Sequence, residues 1–137
     1  MRELDGPEAL MAAAGEEFGV SRWVTLSARE AELFASSTGQ LRPDGNLPRE
    51  LLVARMASLM MELFGVRGRK FGLNYGIDDV RFQREVATGS DVRVHLVLEQ
   101  CSARDGGVID AEWRLDIEAR GLGRVGTFVA RTRYVFE

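Results

Sequence analysis

The segment "PRELLVARMASLMMELFG", which begins at Pro48, places apolar side chains on nearly every side of the helix it predicts. Pro48 suits the first turn, where a missing N–H costs nothing. The run from Leu51 to Phe64 then leaves no polar stripe wide enough to face water. Such a rod, Pro48 to Phe64, has to be enfolded by the rest of the chain. It is not a membrane span, because Arg55 and Glu62 cut the apolar run.

The sequence downstream supplies the wrapping. From Phe71 onward the chain reads as strand, starting with a short one at "IDDVRF". In "SDVRVHLVLEQC", Val92, Val94, Leu96 and Leu98 share one face, and Arg93, His95, Val97 and Glu99 the other. "VIDAEWRLDIEAR" sets Ile109, Ala111, Trp113, Leu115, Ile117 and Ala119 against Asp110, Glu112, Arg114, Asp116, Glu118 and Arg120. "RDGG" (Arg104 to Gly107) predicts a hairpin turn between these strands. "GLG" (Gly121 to Gly123) predicts a second turn before the last strand, "RVGTFVARTRYVF". Helices first and an antiparallel meander last make an α+β chain with segregated elements. A flat sheet would leave part of the rod exposed, whereas a curved antiparallel sheet wrapped around a long central helix would not.

Upstream, Pro7 and Gly19 bracket a helix from Pro7 to Phe18. "VSRWVTLS" alternates as a short strand, and Ser27 with Glu30 forms a capping box for a helix that Gly39 closes. The loop "QLRPDGN" then leads into the apolar rod. With 137 residues and no repeat, linker or low-complexity tract, residues 1–137 are expected to form a single domain. A net charge of -3 with scattered basic residues excludes a nucleic-acid surface. The one cysteine, Cys101, excludes a disulfide framework and a cysteine-based zinc site. The N-terminus lacks the basic start and apolar run of a signal peptide, so a cytoplasmic protein is expected. No metal, flavin or nucleotide signature is present, and "GVRGRKFG" is not a phosphate loop, so no cofactor is expected.

"GVSRWVTLS", "LFASSTG" and "LNYGIDDVRFQREVATGSDVRVHLVL" together resemble the MaoC-like dehydratases, particularly the branch that includes the nodulation protein N group. The likeness runs from Gly19 to Phe136 and is most specific in "NYGIDDVRF" with the "V..G..V" spacing that follows. It implies the hot-dog fold, a sheet wrapped around one long helix. It also implies hydration or dehydration of acyl thioesters of coenzyme A or acyl carrier protein. In that family the loop after "TG" reads roughly Asp-x-Asn-Pro-x-His, the Asp and His being the catalytic pair. Matching Thr38, Gly39 and Pro43 puts Gln40 at the Asp position, Arg42 at the Asn and Gly45 at the His. The following segment is shorter than usual and lacks the Gly-Gly and His-Gly pieces that lead into the helix. The family's hydratase residues therefore do not carry over, since neither Gln nor Gly can act as a base.

Other residues then become candidates. Asp44 and Glu50 can exchange protons; Asp44 also reads as the turn residue of "PDG", and Glu50 as a first-turn carboxylate favoured by the helix dipole. Arg55, inside the rod, needs a carboxylate such as Glu50 or an acidic strand residue, a solvent edge or a ligand. The resemblance implies that the strand holding Asn74, Tyr75 and Arg81 lines the acyl-thioester cleft near a dimer interface. There Tyr75 either donates to a carbonyl or packs with a satisfied hydroxyl. Arg67, Arg69 and Lys70 either meet the phosphates of a pantetheine carrier or form a solvated loop. His95 reads as a solvated surface residue and Cys101 as an inert thiol.

Three functions fit these residues. In the first, an apolar tunnel holds an acyl-thioester or polyketide-like substrate of specialised metabolism, which dehydrates, cyclises or rearranges. Gln40, Arg55, Asn74 and Tyr75 then bond a carbonyl, Arg42 and Arg81 contact substrate, and Asp44 or Glu50 moves protons. In the second, the chain is the non-catalytic subunit of a heteromeric hydratase, bound to an active MaoC-like partner. In the third, it is an enoyl-CoA hydratase with relocated acid and base residues. The rebuilt loop favours the first. A homodimer is expected, or a heterodimer in the second case, because hot-dog clefts form between two subunits.

Overall fold

The computed structural model describes every residue except Leu41, so that one position of the "QLRPDGN" loop lies outside the described residues. In chain order the elements are β1 (Arg2–Asp5), α1 (Gly6–Ala12), β2 (Glu17–Val20), β3 (Val24–Thr25), α2 (Ala28–Thr38), α3 (Arg49–Met60), β4 (Phe64–Arg67), β5 (Phe71–Phe82), β6 (Asp91–Arg104), β7 (Val108–Ala119) and β8 (Gly123–Val135). The main sheet runs β2-β6-β7-β8-β5, with β3 also pairing β6 and every pairing antiparallel; β1 and β4 form a separate parallel pair.

Alternation decides which face of this sheet meets the helix. The apolar sets of β6 and β7 are buried, joined by Val125, Phe128, Ala130 and Tyr134 of β8. Against this inner face pack Leu51, Leu52, Val53, Met56, Leu59 and Met60 of α3, all in one core cluster. Each such side chain contributes about 1.5–3 kcal/mol by leaving water. The expected hot-dog arrangement is present. Its outer face is a lattice of charge: Glu118 accepts from Arg93 at 2.9 Å and lies 2.7 Å from His95, while Arg131 bridges Asp78 and Glu112.

The structure corrects four boundaries. The first helix stops at Ala12 rather than Phe18 because Gly15, at φ +89°, donates its N–H to Leu98 at 2.6 Å and turns the chain along β6. Phe18 thereby becomes a strand residue. "VSRWVTLS" is split between β2 and β3, because the buried Ser21 hydroxyl accepts from the Val94 N–H at 3.0 Å and substitutes for a ladder bond. The apolar helix ends at Met60, since Phe64 to Arg67 pair with β1. Its wrap is also incomplete, with Ala54, Ser58 and Met61 exposed. The short strand at "IDDVRF" is the second half of the long edge strand β5.

The Ser27 cap stands as expected, accepting from the Glu30 N–H at 3.2 Å, and Gly39 closes α2 at φ +76°. No helix among the described residues is long and apolar enough to cross a membrane.

Gly126 of β8 faces Phe82 of β5 so closely that a Cβ would lie 2.7 Å from the ring and 3.0 Å from the Arg81 carbonyl oxygen. Gly126→Ala is therefore expected to overpack the β5–β8 seam at a cost of about 1–3 kcal/mol. Urea unfolding of the variant measures this directly; an unchanged midpoint would show that the seam yields freely.

Candidate functional site

Strand β5 is the edge of the sheet, and its backbone explains the cleft beside it. Two irregularities, between Asn74 and Gly76 and between Asp78 and Arg81, each insert one extra residue opposite β8. Asp79, at φ +53°, sits in the second. An extra residue flips the side-chain phase of everything beyond it. Gly72 and Asn74 pair with Tyr134 and Thr132 on the inner face, Ile77 with Ala130, and Phe82 with Gly126. Without the bulges Ile77 and Phe82 would point to opposite faces; with them, both face α3.

The result is a cleft of about 490 Å³ between α3 and β5, lined by Arg49, Glu50, Val53, Ala54, Ile77, Val80 and Phe82. Its walls are apolar and its rim is polar. Arg49 is held by Glu85 at 2.9 Å and lies over the Phe82 ring at 5.6 Å. Glu50 is in no ion pair among the described residues and is exposed at the rim. Pro48, at the N-cap of α3, has no side chain able to cap, so the first-turn N–H groups present a positive helix end here.

The other candidates fall in different places. Gln40 and Arg42 line a recess of about 150 Å³ on the α2 side, with Ala31, Asn46, Pro48 and Thr88. Asp44 is tied into the turn: it accepts from Arg42 at 2.6 Å and from the Asn46 N–H at 3.1 Å. The Arg42 guanidinium foremost, then the Asn46 N–H, hold its carboxyl below the usual carboxylate range. The loop is pinned to the segment after β5 by Leu47 N–H to Val86 at 2.7 Å and by Arg42 to Glu85 at 3.2 Å. Gly45 takes φ +79° in that turn.

Arg55 finds its carboxylate on α2, Glu30 at 3.5 Å, rather than on Glu50 or a strand. Its Nε and the second Glu30 oxygen are enclosed without a hydrogen-bond partner. Asn74 lines a small recess at the other end of the α3–β5 seam. Tyr75 lies under the Arg133 guanidinium at 5.1 Å, and Arg133 binds Asp110 at 2.6 Å across the outer face. Arg81 pairs in register with Thr127, whose hydroxyl donates to Asp116, also on the outer face. The expected set is thus not one constellation: only Glu50 lines the α3–β5 cleft. The sole histidine, His95, and its partner Glu118 stand on the face turned away from α3. Burial pushes the Cys101 thiol up to about 11, which keeps it protonated and unreactive.

No family model matches the chain. The 3-hydroxyacyl-thioester dehydratase Z of Mycobacterium tuberculosis is 31% identical to it over 138 residues, spanning 90% of this chain and 91% of that protein. The chain belongs to the MaoC-like dehydratase family. Nodulation protein N of Rhizobium leguminosarum bv. viciae is 29% identical over 126 residues, covering 80% of this chain and 78% of the relative.

Solved structures agree on the fold of this MaoC-like chain. An R-hydratase from Pseudomonas aeruginosa superposes with a TM-score of 0.68 at 17% identity, covering 90% and 83% of the two chains. A monoamine oxidase regulatory protein from Archaeoglobus fulgius gives 0.80 at 16% identity, covering 98% and 97%.

The sequence reading missed the walls of the cleft, Val53, Ala54, Ile77, Val80 and Phe82, and the cation Arg49 at its rim. Helical spacing alone groups residues 50, 53 and 54 on one flank of α3. No comparable signal exists for β5, whose bulges break the period-2 pattern.

Proposed function

We propose that this MaoC-like protein binds an acyl-thioester or polyketide-like chain in the α3–β5 cleft and catalyses a non-standard dehydration, cyclisation or rearrangement of it. The observation that carries this reading is an apolar cleft whose rim has one unpaired carboxylate, Glu50, beside the uncapped first turn of α3. The walls take the acyl chain. The first-turn N–H groups polarise a carbonyl oxygen, as backbone donors at a helix start do for a developing oxyanion. Glu50 takes the proton from the adjacent carbon and, in a dehydration, passes it to the departing hydroxyl, which leaves as water. Gln40 and Arg42 stand in their own recess on the α2 side, so in this reading they bond a second oxygen only where a polyketide-like chain extends past Pro48 into it. Asp44, held ionised by Arg42, turns toward the loop rather than toward substrate, which leaves the proton to Glu50.

The unpaired backbone of β5, with Phe71, Leu73, Ile77 and Val80 exposed along it, suits a second copy of the chain that would close the cleft as a homodimer. The locked Asp44 favours a second reading in the same cleft, a non-catalytic subunit that only holds the acyl chain beside an active MaoC-like partner.

The test is turnover of enoyl, 3-hydroxyacyl and β-ketoacyl thioesters, followed by mass spectrometry. Glu50→Gln is expected to lower kcat by about 100-fold or more while KM stays within a few-fold. An undiminished Glu50→Gln enzyme would remove Glu50 from the chemistry. Ordinary hydration of crotonyl-CoA would instead mark a hydratase with relocated residues. No turnover of any thioester, together with tight binding to an active homologue, would decide for the silent subunit.

A further inference from the structure

The basic cluster that follows β4 does not act as one unit. Arg67 is engaged by Glu3 at 3.4 Å and by Asp5 at 3.7 Å. Arg69 is in no ion pair among the described residues; it lines a recess of about 80 Å³ with Asn74, Thr132, Tyr134, Leu73 and Met61. Lys70, Arg29, Arg81 and Arg84 are also outside the ion pairs among the described residues, but they line neither this recess nor the α3–β5 cleft.

What surrounds Arg69 is polar but carries no negative charge, and the Thr132 hydroxyl there already accepts from Trp113 Nε1 at 3.2 Å. The Thr132 hydroxyl and Tyr134 are buried, Asn74 contributes an amide, and no carboxylate lines the recess. A guanidinium presents a rigid fork that matches the two oxygens of a carboxylate or a phosphate. The recess is too small for an acyl chain and large enough for such a group. It lies at the C-terminal end of α3, where Met61 closes it, whereas Glu50 sits at the N-terminal end. The two are separated by roughly 16 Å of helix, with the inner face of β5 running between them.

We propose that this recess receives an anionic group carried by the thioester substrate, either a carboxylate at the tail of the acyl chain or a phosphate on the carrier arm. The inference rests on the reading that an acyl thioester occupies the α3–β5 cleft. Arg69 supplies the charge and the bidentate bond, the Asn74 amide orients the anion, and the length of the seam selects how far from the thioester it stands. Arg69 is thus a specificity-determining residue, remote from the reacting carbon.

The experiment is calorimetric titration of the wild-type chain, Arg69→Gln and Arg69→Lys. The probes are a monocarboxylic and an α,ω-dicarboxylic acyl chain, each as its coenzyme A thioester and as its N-acetylcysteamine thioester, which carries no phosphate. A tail carboxylate in the recess makes the dicarboxylic chain bind more tightly in both thioester series. A carrier phosphate makes coenzyme A thioesters bind more tightly whatever the acyl chain. In either case Arg69→Gln removes the preference, about tenfold in Kd, and Arg69→Lys keeps part of it. Unchanged affinities in Arg69→Gln would overturn the assignment while leaving the cleft reading intact. Failure of the wild-type chain to bind even the monocarboxylic probes would bring down the cleft reading, and this inference with it.

Discussion

Trp113→Ala lowers the stability of this protein by about 3–5 kcal/mol, a large part of what a domain of ordinary stability has. Trp113 is fully buried at the centre of the inner sheet face. Its ring stacks on Phe64 at 4.1 Å with an interplanar angle of 17°, and meets the Phe18 ring edge-on at 5.0 Å. These three residues come from β7, β4 and β2, so the indole joins the main sheet to the small parallel pair. Its Nε1 also donates to the Thr132 hydroxyl at 3.2 Å. Alanine leaves a cavity, unstacks two rings and strands a buried hydroxyl at once. A fall in Tm of roughly 10–20 °C is expected by calorimetry. Trp23→Ala serves as the comparison. That ring is half-buried between the Arg93 and Arg120 guanidinia, at 4.2 and 4.5 Å, and its removal opens no core cavity. Equal losses for the two tryptophans would refute the central role of Trp113.

The second large effect concerns Asp110. Alternation puts it on the polar face of β7, yet it is buried, with the Arg133 guanidinium at 2.6 and 2.9 Å and Arg104 on its other side. Arg133 first, and Arg104 after it, hold its carboxyl below the usual range against the opposing effect of burial. Asp110→Asn keeps the shape but removes the charge both cations face, at an expected cost of about 2 kcal/mol at neutral pH. The pH dependence carries the signature. A carboxyl whose folded-state pKa is depressed stabilises fully above its unfolded value, about 4, and that stabilisation is lost as pH falls through the folded value. The gap between wild type and variant should therefore be widest at neutral pH and narrow steadily in acid. Glu118, held down by Arg93 and then His95, adds a loss in the same direction to both proteins. A gap that stays constant into strong acid would mean that the ionised form of Asp110 contributes nothing.

These residues also show where the sequence was informative. The two faces of β7 were legible, because an unbroken period of two separates an apolar from a polar set along its whole length. The apolar helix was legible from its lack of a wide polar stripe, although it ends at Met60 and leaves Ala54 and Ser58 exposed. Asp110 shows the limit, since its burial depends on cations supplied by β6 and β8 that no local pattern on β7 announces. Of the N-terminal strands, "VSRWVTLS" was legible as strand though not as the two pieces β2 and β3, and β1 was not legible. "RELD" has no strand pattern and becomes β1 only because Phe64 to Arg67 offer it a parallel edge. At the candidate site the family resemblance drew attention to the right strand. The two bulges flip only the stretch between them, which turns Ile77 inward to join Phe82, while Tyr75 and Arg81 stay on the outer face where plain alternation already puts them. Arg55 was recognised as a cation in need of a partner, but Glu30 is distant in sequence and belongs to another helix.

The broken phase of β5 has a consequence for the life of the protein in a crowded cell. A straight, greasy border strand is a template on which identical chains can stack without end. Here the border steps out of rhythm twice, at Asn74–Gly76 and at Asp78–Arg81, and its hydrogen-bonding groups come in short unequal runs. A neighbour that arrives at an arbitrary offset satisfies one run and misses the next. The same kinks that aim side chains toward the helix thus act as a safeguard against fibre growth, and they let the molecule carry an oily rim at high concentration while rejecting ill-matched company.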